Sequence, residues 1–332
     1  MEIIYPKYYE EFQCIASACP DSCCKEWEVD VDDASAAYYR SLDSDLGDAL
    51  REVLKDTEDG AVMTIRDGRC PMWRTDGLCR IQAALGHDAL CKTCREFPRL
   101  RHDYGDFEEL GLELSCPEAA HLILTRPNEL CVRQTSGGEE PEYDLEVMAI
   151  LRRSRNVVLS YLETTKLPTN LALGVILVYA HHVQNWLDGG EEAVFDQTAG
   201  LALMEEHAKT GDWDSLVAFF KNLEILTPHW KQRLETPAQL GIWNKNQREL
   251  AVYFIVRHWL QAVSDYDLVG RVKFIIAACL LIHRLGGDFE QTAQLFSKEI
   301  ENDLDNLEAI FDGAYMSPAL TDLNLLSLLK SI

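Results

Sequence analysis

Basic residues are scarce in this sequence. Its 332 residues include 31 lysines and arginines against 55 aspartates and glutamates, so the formal net charge at pH 7 is −24. A chain with this charge repels nucleic-acid phosphates and anionic lipids, and we expect neither as a partner. The simplest interpretation is an acidic surface that keeps a globular protein soluble. A weaker inference is a preference for a cationic protein substrate, rich in lysine or arginine.

Long apolar runs are also missing. The longest, at residues 171–180 and 274–282, are shorter than the roughly 18 to 20 residues that a membrane helix needs. The first twelve residues have neither a basic start nor an apolar stretch, so we expect no secretory signal. We therefore expect a cytoplasmic protein with no membrane partner. Thiols stay reduced there, and a large number of them indicates metal binding or chemistry more than disulfides.

Cysteine is almost absent beyond residue 131. Ten of the eleven cysteines lie within the first 131 residues, and the last, Cys279, sits in an apolar run where we expect a small buried side chain. A polar, turn-rich stretch at 134–141 follows the cysteine-rich part. We therefore predict a cysteine-rich metal or iron-sulfur module at 1–135 and a helical domain at 136–332.

The second part of the chain has the periodicity of helices. Apolar residues recur at helical spacing over residues 143–162, 171–187, 216–226, 250–263 and 272–285. The predicted fold class is mainly α, with an irregular cysteine-rich metal-binding N-terminal module packed on a C-terminal bundle of roughly six to eight helices. His181, His182 and His258 lie in these apolar segments without a second ligand at i+4, so we assign them no metal.

The cysteines form two groups. The first is Cys14, Cys19, Cys23 and Cys24, four thiols within eleven residues, and the second is Cys70, Cys79, Cys91, Cys94 and Cys116. Soft thiolates select zinc, Cu(I) or iron-sulfur clusters. Three of the cysteines precede proline, as one does in the cysteine run of bacterial ferredoxins.

Spacing alone leaves several alternatives open. Only Cys91 and Cys94 form a close knuckle, so a simple zinc ribbon fits less well. Cys91 and Cys131 are candidates for buried structural thiols. Adjacent Cys23 and Cys24 point in different directions along an ordinary backbone. They therefore bind different metal centres, or one is a ligand and the other is a packed side chain. Copper storage would bring methionine-rich or histidine-rich tracts, and the six methionines are scattered.

A basic run accompanies the second cysteine group. It consists of Lys92, Arg95, Arg99, Arg101 and His102. Guanidinium groups beside an anionic metal centre or a ligand carboxylate make charge-assisted hydrogen bonds. The alternative for any one arginine is an ordinary ion pair with a neighbouring acidic residue.

Taken in order, these motifs resemble the flagellin lysine N-methylase family. The resemblance is carried by residues 14–27, 70–71, 78–86, 93–99 and 115–120, with a weaker echo at 296–301. It implies an iron-sulfur protein, most simply 4Fe-4S with zinc as the alternative, that transfers methyl groups from S-adenosylmethionine to lysines of flagellin or another lysine-bearing protein. It places the metal ligands at Cys14, Cys19, Cys23, Cys24, Cys70, Cys79, Cys94 and Cys116, and leaves the role of Cys91 open.

The residues themselves support this only in part. No Gly-x-Gly-x-x-Gly loop follows a strand, so the usual Rossmann-type cofactor loop is not visible. We predict that Arg95 and Arg99 hold anionic groups of the cofactor or the cluster environment. The candidate bases near the cysteines are Glu118, Tyr104, Tyr8 and Tyr9. Two other functions compete: a non-enzymatic zinc- or iron-binding interaction module, and a redox enzyme that uses the same thiols.

Overall fold

The fold was obtained as a computed structural model, which describes residues 1–58, 60–207, 209–238, 241 and 243–332. The described residues form fifteen α-helices and seven β-strands. The predicted mainly α class is therefore confirmed. None of these helices combines the length and the apolar character that crossing a membrane requires.

A small antiparallel sheet organises the first cysteine-rich segments. Its strands are β2 (Val29–Val31), β3 (Leu54–Thr57) and β4 (Gly60–Met63), in the order β2-β4-β3. Burial alternates along β2, because side chains on one face of a strand pack inward. Four short helices surround this sheet: α1 (Asp33–Ser41), α2 (Asp45–Val53), α3 (Arg80–Leu85) and α4 (Lys92–Glu96).

A second, mixed sheet contains the first strand of the chain. Its members are β1 (Glu2–Pro6), β5 (Arg99–Asp103), β6 (Phe107–Leu112) and β7 (Leu130–Gln134), in the order β5-β6-β1-β7. Strand β1 runs parallel to β6 and antiparallel to β7. Helix α5 (Pro117–Thr125) connects β6 to β7, and Pro117 fits its first turn because that position needs no amide donor.

Ten α-helices follow in the described part of residues 136–332. They are α6 (Leu145–Thr164), α7 (Thr169–Leu187), α8 (Gln197–His207), α9 (Trp213–Lys221), α10 (Pro228–Glu235), α11 (Gln247–His258), α12 (Leu268–Leu285), α13 (Phe289–Phe296), α14 (Leu304–Met316) and α15 (Asp322–Lys330). A π-helical turn (Ser297–Glu301) extends α13. Helix α12 is the centre of the bundle, since all of its residues except His283 and Arg284 are buried.

The apolar side chains form two cores. The smaller one lies within residues 24–94 and includes Cys70 and Cys91. The larger one runs from Ile4 to Leu329 and joins the mixed sheet, α5 and the C-terminal helices. Because the larger core contains side chains from both sides of residue 135, the domain boundary placed there stays a prediction.

A buried carboxylate ties α11 to the π-helical turn. The side chain of Glu301 is fully buried, and it accepts hydrogen bonds from Tyr253 at 3.0 Å and Ser297 at 2.6 Å. Arg257 and His258 lie 3.0 and 2.8 Å from its Oε1. Burial alone raises the pKa of Glu301, but the Arg257 charge and the hydrogen bonds from His258 and Ser297 outweigh it and lower the pKa to about 2.

We expect Glu301→Gln to lower the free energy of unfolding by about 3 kcal/mol at pH 7, because it leaves the Arg257 charge buried without its partner. The native carboxylate stabilises the fold fully above the unfolded pKa of about 4.5 and loses this effect as the pH falls towards its folded pKa of about 2. The difference between variant and wild type should therefore shrink on acidification. Urea unfolding at several pH values measures it, with exposed Glu308→Gln as the control. A difference that stays constant down to pH 3 would contradict the assignment.

Candidate functional site

The cysteine-rich segments surround a cavity of about 460 Å³. Seven of the eight predicted metal ligands line it: Cys14, Cys19, Cys23, Cys24, Cys79, Cys94 and Cys116. The eighth, Cys70, is buried behind the wall, with its Sγ 3.2 Å from the sulfur of Met63. The structure thus brings these thiols together from four separate stretches of sequence, and metal binding by them stays a prediction.

Hydrogen bonds shape the loop that carries the first four thiols. The carbonyl oxygen of Asp21 accepts a hydrogen bond from the Cys19 thiol, and Ser22 Oγ accepts one from the Cys24 amide at 3.2 Å. The carbonyl of Cys24 accepts a hydrogen bond from the Cys70 amide at 2.7 Å. The first and second cysteine groups are therefore joined by a direct backbone contact.

Three other cysteines stand immediately before helices. Cys79, Cys91 and Cys116 are the residues that precede α3, α4 and α5. A thiol in this position lies beside free backbone amides, which favour its ionised form. Cys91 is 1% exposed, packs in the smaller core and is not part of the cavity wall. Its thiol nevertheless contacts that of Cys94, which lowers the pKa of Cys91 to about 7, so the role of Cys91 stays open.

The thiols differ in how easily they ionise. Hydrogen bonds from Cys23 and Cys70 hold the pKa of the Cys24 thiol well below its ordinary value. Burial raises the pKa of Cys19 and Cys79, and it raises that of Cys116 to about 11. Several thiolates in one cavity repel each other, and a bound cation removes that repulsion.

The donor set of the cavity fits a soft metal, because thiolates from seven cysteines are the ligands that zinc and iron-sulfur clusters use. Among the described residues, no three His, Cys, Asp or Glu side chains already stand in an arrangement that encloses a metal ion. Ligation therefore requires thiols in the wall to turn towards a common centre.

The two predicted anion-binding arginines also lie in the cavity wall. Arg95 donates to the carbonyl of Leu90 at 3.3 Å, and Arg99 donates to the carbonyl of Phe12 at 3.4 Å while lying over its ring. No carboxylate in the described part of the chain forms an ion pair with either group. Both guanidinium groups therefore keep donors for an anionic ligand. Arg101 differs, since it pairs with Glu108 at 2.5 Å.

The four candidate bases are not in the cavity wall. Tyr8 is buried and donates to Asn128 at 2.9 Å, and burial raises its pKa. Tyr104 stacks on Phe107 with ring centroids 4.6 Å apart. The ordinary packing role accounts for both tyrosines. Of the histidines, buried His258 contacts Glu301, and His181 lies 3.0 Å from Asp322.

The sequence is similar to three curated proteins. The chain is 27% identical over 218 residues to a lysine-N-methylase of Salmonella choleraesuis, and 26% identical over 214 residues to one of Salmonella typhimurium. It is also 32% identical over 155 residues to the flagellar biosynthetic protein FliU of Salmonella muenchen, and this alignment covers 88% of FliU and 45% of the chain. The chain belongs to the flagellin lysine N-methylase family.

The similarity covers only part of the chain and part of the two lysine-N-methylases. Each lysine-N-methylase alignment covers 62% of the chain and 53% of the relative, so the chain spans about half the length of these curated relatives. No family model matches the sequence, and no solved structure matches it. The family is therefore established by sequence relatives, and its recognition from the ordered cysteine motifs is confirmed.

Several residues of the cavity wall were not predicted as site residues, and Lys298 is the farthest of them along the sequence. Lys298, in the π-helical turn, lines the cavity beside the first cysteine loop. It lies more than 270 residues beyond that loop, so no spacing rule connects the two. The only feature of the sequence that points to Lys298 is the weaker resemblance to the family at residues 296–301.

The structure predicts a wide range of thiol reactivity in the reduced, metal-free protein. Cys14 is exposed, whereas Cys279 is fully buried in α12 and burial raises its pKa. We expect iodoacetamide to label Cys14 at least about a hundredfold faster than Cys279, because Cys279 reacts only after the core opens. Peptide-resolved mass spectrometry measures both rates, and the two should converge in urea. Equal rates in native protein would contradict the packing of α12.

Proposed function

We propose that the protein is a protein-lysine N-methyltransferase that uses S-adenosylmethionine, contains an iron-sulfur cluster and acts on flagellin or another lysine-bearing protein. One observation carries the proposal: seven cysteines and two arginines without carboxylate partners line a single cavity in a member of this family. Zinc is the alternative metal, since thiolates bind it equally well.

The cavity has groups suited to the parts of S-adenosylmethionine, which supplies an electrophilic methyl group when it is bound. Arg95 and Arg99 line the cavity, and we propose that they pair with its carboxylate through charge-assisted hydrogen bonds. Trp27 and Phe97 are edge to face in the wall, with ring centroids 6.0 Å apart. Aromatic rings attract a cation such as a sulfonium and stack on a flat base.

The wall also suits the methyl acceptor. A lysine amine accepts a methyl group only when it is neutral, and its reference pKa is about 10.4. Burial among apolar groups lowers the pKa of an amine. The apolar parts of the wall include Phe12, Leu78, Leu90 and Pro98, which exclude water from an inserted side chain. The net charge of −24 favours the approach of a lysine-bearing surface.

A non-enzymatic metal-binding module is the second candidate. Five cysteines belong to or pack against the smaller core: Cys24, Cys70, Cys79, Cys91 and Cys94. A metal held by such residues would stabilise the fold directly, as structural zinc does, without any turnover.

The metal assignment predicts that anaerobically purified protein is brown and contains iron and acid-labile sulfide. Cys19→Ser should lose most of the iron, because it removes a thiol from the cavity wall. Cys131→Ser is the matched control, since Cys131 lies on β7 opposite Tyr5 in the mixed sheet. Iron, sulfide and zinc analysis of the three proteins tests this. Stoichiometric zinc without sulfide would overturn the cluster and favour the zinc module.

The cofactor assignment predicts weaker binding of S-adenosylmethionine when an arginine of the wall is removed. We expect Arg99→Ala to raise the Kd about tenfold, because one charge-assisted hydrogen bond is lost. Arg40→Ala is the control, since Arg40 pairs with Asp56 away from the cavity wall. Titration calorimetry measures binding, and mass spectrometry of flagellin after incubation detects methyl-lysine. The absence of both binding and methyl transfer in fully metallated protein would leave the non-enzymatic module.

A further inference from the structure

Lys298 is an unusual residue for the wall of this cavity. Its side chain is 1% exposed, although lysines are almost never fully buried unless they are paired. It occupies the second position of the π-helical turn that follows α13. Such turns interrupt regular helices and are frequent at functional sites.

The partners of Lys298 come from the first cysteine loop. Its Nζ lies 3.0 Å from Oδ2 of Asp21 and 2.7 Å from Oε2 of Glu26, and it lies over the ring of Trp27 at 5.1 Å from the centroid. Asp21 lies between Cys19 and Cys23 along the chain, and Glu26 and Trp27 follow shortly after Cys24. Arg95 and Arg99 keep free donors, whereas two carboxylates already neutralise Lys298. Its charge is therefore used within the protein.

Hydrogen bonds connect Asp21, and thus its ion pair with Lys298, to the thiols of the loop. Its carbonyl accepts a hydrogen bond from the Cys19 thiol, and its Oδ1 accepts one from the Ser22 amide at 3.0 Å. Ser22 in turn accepts a hydrogen bond from the Cys24 amide. The position of Asp21 therefore sets the positions of thiols on both sides of it.

A neighbouring residue reinforces the same contact. Gln294, one turn before Lys298, donates from Nε2 to Asp21 Oδ2 at 3.3 Å and to the carbonyl of Ser115 at 2.7 Å. Ser115 precedes Cys116, which lies in the cavity wall. The end of α13 and its π-helical turn thus contact two cysteine segments that are far apart in sequence.

We propose that Lys298 is a positioning residue that holds the loop from Cys19 to Cys24 against the end of α13, so that its thiols face the cavity. Without this cation, Asp21 and Glu26 lose their shared buried partner, and Asp21 keeps only the more exposed Lys25, whose Nζ lies 3.7 Å from its Oδ1. The loop is then no longer held against the end of α13 by an ion pair. This role of Lys298 rests on the proposed function only in assuming that the thiols serve as metal ligands. The arrangement of the loop can be measured independently of any turnover.

The test is pulsed alkylation of the reduced, metal-free protein without a methyl donor. In Lys298→Met we expect iodoacetamide to label Cys19 and Cys24 about tenfold faster than in wild type, each resolved by fragmentation of the tryptic peptide 8–25, whereas exposed Cys14 should react alike in both proteins. Cys279 should stay unlabelled. Lys273→Met is the matched control, because Lys273 is also a buried lysine in an ion pair, with Asp322 at 3.0 Å, but is not in the cavity wall. It should leave the labelling of peptide 8–25 unchanged.

Asp21→Asn removes the same pair from the loop side and decides the matter if Lys298→Met does not fold. We expect it to label faster than wild type, and we expect the double variant to be no faster than Lys298→Met, since both changes break the contact between Lys298 and Asp21 and only Lys298→Met also removes the pair with Glu26. Cobalt(II) titration should show weaker thiolate-to-cobalt absorption in both single variants than in Lys273→Met. Wild-type labelling rates, additive effects, or Cys279 labelling in parallel with peptide 8–25 would overturn the proposal. A failure of methyl transfer would leave this test unaffected.

Discussion

Several thiols from distant parts of the chain have to face one cavity, and much of the fold serves this constraint. The loop with the first four cysteines contacts the segment of Cys70 through a backbone hydrogen bond, and it contacts the end of α13 through Lys298. Short helices place Cys79 and Cys116 at their first turns. These elements are held in fixed relative positions by the smaller core, the mixed sheet and the C-terminal helices.

The distribution of charge follows from the same constraint. In a chain with a formal charge of −24, the cavity wall contains Arg95, Arg99 and Lys298. The three cations have different environments: carboxylates neutralise Lys298, whereas Arg95 donates to a carbonyl oxygen and Arg99 to a carbonyl oxygen while lying over an aromatic ring, and neither arginine pairs with a carboxylate of the described residues. A cation without a carboxylate partner remains able to bind an anion. A cation that is already paired with carboxylates instead holds the segments that carry them in position. Their contacts therefore separate the two roles, although all three line one cavity.

Local patterns in the sequence predicted part of this structure. Apolar periodicity located α6 and α7 to within about two residues, because helical spacing is a local property. The ordered cysteine motifs identified the family. Seven of the eight cysteines that the resemblance implies as ligands line the cavity. The estimate of six to eight helices was too low for the second part of the chain. Short helices such as α10, with its polar run of Lys231, Gln232 and Arg233, have too weak an apolar stripe to be recognised.

Non-local contacts were out of reach of these patterns. The mixed sheet was missed, since β1 pairs with strands more than 100 residues away. The small sheet is closer in sequence, but its strands are only three or four residues long, too short for a recognisable alternation. The cavity role of Lys298 was missed for the same reason as the mixed sheet: its partners are Asp21 and Glu26. A buried lysine reads as an ordinary surface residue until its partners are known.

The long separation between Asp21 and Lys298 also has a consequence for biosynthesis. The two residues are 277 positions apart, and at about 5 to 20 residues per second the ribosome needs tens of seconds to make the chain between them. During that time the first four thiols have emerged without the cation that holds their loop. They are open to oxidants and stray metal ions in the cell, and the wall of the cavity is assembled only after Lys298 has left the ribosome. The cavity is therefore completed late in the synthesis of the chain.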